Sequence, residues 1–164
     1  MRHVLPLATL LLLVSGCDGA GPDGALPGND VPAEPDALFE FLADRGYAGF
    51  EAESAAHPSD GPHDEDVRVF LNPALAESLA AGNKAHPKGA AAVKELGVAG
   101  GEPSGWAVFV KTDEDSKGGD EIYWYEVFST TDGDDPPYSG KGLDVCKDCH
   151  SGGVDFYLSS YPLK

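Results

Sequence analysis

The sequence predicts an α+β domain: a mainly antiparallel β-sheet with peripheral helices and a C-terminal haem-attachment helix, the last on grounds set out below. Three observations carry the fold class. Residues 67–72 (VRVFLN) alternate apolar and polar, as a half-buried strand does. Residues 106–112 (WAVFVKT) and 121–130 (EIYWYEVFST) are dense in aromatic and β-branched types, and the acidic segment TDEDSKGGDE joins them as an antiparallel hairpin with a long turn. Two further segments carry helix start and stop signals.

Taken in order, PDALFEFLADRGY opens with Pro35 and Asp36 and spaces Leu38, Phe39, Phe41 and Leu42 as one helical face, closing at Gly46. After the alternating strand, NPALAESLAAG offers Asn72 as a cap, Pro73 in the first turn and Gly82 as a stop. GAAAVKELG (89–97) fits helix or strand equally well from its residues. TDGDDPPYSGKG (131–142) reads as a loop, and LDVCKDCH (143–150) starts a short helix.

The N-terminus has a different grammar. Arg2 and His3 precede an apolar run from Val4 to Val14 that is too short for a bilayer and fits a secretory signal. Its ending, LVSGC, resembles the bacterial lipobox, which implies removal of residues 1–16 and a lipid on Cys17. Residues 17–35 are Gly, Pro and acids with almost nothing to bury, a flexible linker to a folded domain at 36–164. The expected location is the periplasmic side of a bacterial membrane, which the chain touches through its lipid anchor only.

Charge narrows the partners. The 164 residues hold 28 Asp+Glu against 11 Lys+Arg, a formal net charge of −17. A chain this acidic has no electrostatic footprint for a nucleic acid; a basic redox partner fits it better. The acidic clusters Asp64–Asp66, Asp113–Asp115 and Asp132–Asp135 would carry that attraction. The last lacks the Gly and Glu spacing of a calcium loop.

Chemistry concentrates in Cys146-Lys147-Asp148-Cys149-His150, the C-x-x-C-H of c-type haem attachment. Two thiols three residues apart on one helical turn match the two haem vinyl groups, and the next imidazole is placed to be the proximal iron ligand. A thioredoxin-like pair would open a helix in a βαβ unit, and a zinc site would need a second cluster; neither is present in the sequence. A disulfide is the remaining alternative. The only methionine is Met1, so His/Met ligation is excluded and the sixth iron position is expected to be open. His57, His63 and His86, each beside a proline, read as solvated loop residues.

These residues in this order also resemble a known family. VRVFLNPALAESLAAG, HPKGAAAVKEL, WAVFVK, YWYE and the C-x-x-C-H near the C-terminus are similar to cytochrome P-460 and cytochrome c′-beta proteins over residues 67–155. The resemblance implies a mainly antiparallel β fold, a homodimer, one covalent haem c per chain, and a strand at 89–97. P-460 proteins oxidise hydroxylamine with a haem joined to a lysine. The c′-beta proteins lack that link and bind nitric oxide or carbon monoxide against aromatic residues. Lys94 matches the cross-linking lysine and Arg68 its distal neighbour; Glu126 is the candidate acid, chosen from its strand rather than from a family motif. Each of the three also has a plainer reading as a solvated or ion-paired strand residue. Phe70, Phe109 and Phe128 would line an aromatic distal side. The chain is short for the family, which implies a trimmed pocket. The expected function is redox chemistry or binding of small nitrogen species. The alternative is an electron-transfer lipoprotein whose second axial ligand is His57, His63 or His86.

Overall fold

A computed structural model describes residues 30–63 and 66–164. The signal, Cys17, most of the linker, and Asp64 and Glu65 of the first acidic cluster lie outside the described residues. Helix α1 (Pro35–Ala43) starts with proline at its first turn, where a missing N–H costs nothing, and buries Leu38 and Leu42 on one stripe. Each of those leucines contributes about 2 kcal/mol by leaving water. At Gly46, in the turn after α1, the Phe41 ring packs against the backbone where a Cβ would stand, so a larger residue would displace that ring. Val31 and Ala33, assigned to the linker by composition, pack on the same core.

The sheet follows. Strands β1 (Glu51–Ala52) and β2 (His57–Pro58) are short pieces that both pair with β3 (Asp66–Leu71). Helix α2 (Pro73–Ala80) is capped by Asn72, whose side chain accepts from Leu75 N–H. Strands β4 (Ala91–Leu96), β5 (Gly105–Lys111) and β6 (Ile122–Val127) then pair in sequence. Strand β7 (Tyr138–Lys141) closes the far edge, and helix α3 (Asp144–His150) follows it. Every pairing is antiparallel, in the order β1-β3-β4-β5-β6-β7 with β2 beside β3.

Within 89–97 the strand is Ala91–Leu96: both its neighbours in the sheet supply hydrogen bonds, and tertiary pairing overrides alanine's helical preference. Residues 131–142 correct the loop expectation, since Tyr138–Lys141 pairs with β6 despite two prolines just before it. The strand read over 121–130 ends at Val127. Among the described residues no helix is long and apolar enough to cross a membrane.

Strand alternation divides the sheet into two faces. One carries Phe70, Val93, Val108 and Tyr125 and is covered by α1 and Tyr47. The other carries Val69, Ala92, Phe109 and Trp124, and packs against α2, the α3 region and the C-terminal segment around Tyr157. The site lies on this second face.

Candidate haem site

Register alone assembles the site's wall. Val69, Lys94, Ala107, Glu126 and Tyr138 are successive cross-strand partners, so they form one row across five strands. Lys94 and Glu126 stand two strand spacings apart, about 10 Å, with only a methyl group, Ala107, between them. The adjacent row, Ala92, Phe109 and Trp124, is apolar. Small side chains at Ala92 and Ala107 leave room that large ones would fill.

That room is a cavity of about 470 Å³, within the size range of cofactor pockets. Cys146, Cys149 and His150 line it from α3, and Lys94, Glu126 and Phe109 line it from the sheet. Lys147 Nζ ties the helix to the segment before β6, 2.7 Å from Asp120 Oδ1, and also pairs within the helix with Asp144 Oδ1 at 3.1 Å. A Cβ on Gly119 would crowd Lys147 and Phe156 at 2.8 Å, so this contact depends on glycine.

The His150 ring is anchored through one of its nitrogens. Its Nδ1 lies 3.0 Å from the Phe156 carbonyl, which can only accept, so Nδ1 carries the proton and Nε2 is left with its lone pair. The ring packs against Trp124 with centroids 4.6 Å apart. Burial pushes the His150 pKa below its ordinary value, against the pull of the Phe156 carbonyl. A neutral imidazole with its second nitrogen anchored is what an axial iron ligand requires.

Cys146 is half-buried and Cys149 exposed, and the two are free thiols rather than a disulfide. Burial, aided by the Glu126 charge, pushes the Cys146 thiol up to about 11. A redox-active pair needs the opposite shift, so the geometry disfavours the thioredoxin reading. Among the described residues no group of three His, Cys, Asp or Glu is gathered to hold a bare metal ion. The donor set fits haem c: two thiols and one open imidazole nitrogen on a single cavity wall, facing an apolar floor.

The sequence-predicted residues separate clearly. Lys94 is on the cavity, where burial lowers its pKa while Glu53 and Glu126 oppose the shift. Glu126 is on the cavity too, 2.6 Å from His63 Nδ1. Arg68 is not: its register partner is Glu95, and it faces the opposite side, with Nε donating to the Glu53 carbonyl and its guanidinium over Phe70. One residue's step along β3 decides this, because neighbours on a strand point to opposite faces. Phe70 is displaced by the same parity and meets Tyr47 in the other core, whereas Phe109 and Phe128 do line the cavity.

His86 and His63 differ from their expected solvated state, whereas His57 keeps much of its side chain in solvent. His86 is 1 % exposed; its Nε2 donates to Val154 O and its Nδ1 accepts from Ser78, so both nitrogens are committed. His57 lies on β2 and faces Pro58 O and Glu53, which raise its pKa. His63 reaches into the cavity, its ring centroid 6.1 Å from that of His150. The His63–Glu126 pair was missed because it joins positions 63 residues apart with no local pattern to mark it. Glu53, whose carboxylate accepts from Val69 N–H, is likewise on the wall without any sequence signal. No protein-family model matches the chain, nor does any curated protein or solved structure.

Proposed function

We propose that this protein is an exported mono-haem c-type cytochrome of the P-460 / c′-beta type, with a His-ligated haem open to small nitrogen species such as hydroxylamine or nitric oxide. The observation that carries the reading is convergence: the C-x-x-C-H helix and the Lys94–Glu126 row, distant in sequence, face one cavity with an apolar floor. Cys146 and Cys149 would hold the haem through thioethers and His150 through its free Nε2. Bound there, the haem would supply electron transfer and an iron that takes small ligands.

The chain's own groups set what such a ligand meets. Glu126 and His63 share a short hydrogen bond and can hold a proton at the wall. Phe109 and Trp124 make the floor largely apolar, which strengthens polar contacts beside it, and the buried Trp124 Nε1 leaves one donor there without a protein partner among the described residues. Lys94, with its pKa lowered, has more of the neutral amine that a covalent bond to a cofactor needs. A lysine-to-haem bond would favour the oxidoreductase behaviour, and its absence the gas-binding one.

One observation favours the second reading, an electron-transfer lipoprotein. The His63 ring lines the same cavity with its centroid 6.1 Å from that of His150, and its Nδ1 is engaged by Glu126, which leaves Nε2 as the nitrogen that could meet an iron held between the two rings. Optical spectra of the oxidised and reduced holoprotein, with and without carbon monoxide, separate the cases. A high-spin ferrous haem that binds carbon monoxide is expected. A low-spin six-coordinate haem in both redox states would transfer the assignment to the carrier.

A further inference from the structure

The carbonyl that anchors His150 sits in a turn the backbone adopts reluctantly. Asp155 has φ +48° and Phe156 φ +69°, two consecutive non-glycine residues in the left-handed region. Such a pair persists only where its surroundings over-determine it. Here they do. The Asp155 carboxylate accepts from Lys111 Nζ at 2.5 Å and from the His86 backbone N–H at 2.7 Å. His86 Nε2 donates to the Val154 carbonyl, and Val154 and Tyr157 form a β-bridge around the turn.

Lys111 ends the central strand β5, and its side chain is 1 % exposed, that of Asp155 6 %. A buried ion pair is a poor way to gain stability, since an apolar pair of similar volume does as well or better. Its distinctive effect is geometric: it ties the turn to the end of β5, a strand paired on both sides. The next carbonyl along, that of Phe156, is the acceptor for His150 Nδ1 at 3.0 Å.

We infer that Lys111 and Asp155 are positioning residues for the proximal histidine: their buried ion pair fixes the left-handed turn, and the Phe156 carbonyl thereby sets the orientation and donor strength of His150 towards the iron. The inference rests on the haem reading above. A carbonyl held firmly on Nδ1–H makes Nε2 the stronger donor, which favours the ferric state and keeps the reduction potential low.

The test uses the holoprotein of Asp155→Asn and of the double variant Lys111→Met/Asp155→Asn. Asparagine tolerates the left-handed region, and the double variant leaves no lone buried charge if the single one fails to fold. The readouts are the midpoint reduction potential and the ferrous iron–histidine stretching frequency. The expected result is a potential shifted upwards and a lowered stretching frequency, in a variant that still carries covalent haem. A folded, haem-loaded double variant with both readouts at wild-type values would overturn the inference while leaving the haem reading intact. A wild-type protein without covalent haem would overturn both.

Discussion

Replacing Asn72 by alanine is expected to cost about 3–5 kcal/mol of folding stability, a large share of what a domain of this size possesses. Asn72 is fully buried at the junction of β3 and α2. Its Oδ1 accepts from Leu75 N–H at 3.1 Å and from Ala91 N–H at 2.9 Å, and its Nδ2 donates to Gly89 O at 2.7 Å. Loss of a helix cap costs about 1 kcal/mol. The Ala91 amide and the Gly89 carbonyl, stranded in the interior, add about 1–2 kcal/mol each. Asn72→Asp keeps the two acceptor contacts but sets a buried carboxyl oxygen against the Gly89 carbonyl, so it is expected to destabilise as well, and more at neutral pH, where the carboxyl would have to ionise, than at about pH 4. Urea unfolding followed by circular dichroism measures both, with an unchanged dependence on urea concentration showing that stability alone has moved. An alanine variant within about 1 kcal/mol of wild type would refute the reasoning.

Three further outcomes are expected. Hydrogen bonds from Lys141 and Lys117 hold the Glu121 carboxyl at about 2, so its contribution is full above about 4.5 and fades as pH falls towards 2; Glu121→Gln should flatten that part of the acid unfolding profile. Tyr47→Phe removes a buried hydroxyl that donates to Glu95 at 2.8 Å and accepts from Trp106 Nε1 at 3.1 Å, at a cost of about 2–3 kcal/mol in urea unfolding. His63→Ala should leave the spin state of the holoprotein unchanged, because the proposed iron is open; conversion from low to high spin would instead identify His63 as a ligand.

The sheet was legible because its strands announce themselves locally. The hairpin of β5 and β6 follows from two aromatic runs and an acidic turn, and α2 from Asn72, Pro73 and Gly82. Strand β7 was hidden because proline and glycine punctuate its segment, and only pairing with β6 makes Tyr138–Lys141 a strand. Strands β1 and β2, two residues each, are too short to carry any period. At the site, C-x-x-C-H gave three wall residues at once, and Lys94 and Glu126 fell on the cavity side. Arg68 and Phe70 did not, since the choice of face depends on register and the period gives only which residues go together. The Lys111–Asp155 and His63–Glu126 pairs span 44 and 63 residues, and nothing in a single sequence records such meetings.

The central claim is that Cys146, Cys149 and His150 hold a covalent haem. Its most direct test is the intact mass of the exported protein after acidic organic extraction, read beside its pyridine haemochrome spectrum. The expected result is one haem per chain that resists extraction and is lost in Cys146→Ser/Cys149→Ser. A wild-type chain with no added haem mass, its two thiols free or joined as a disulfide, would contradict it.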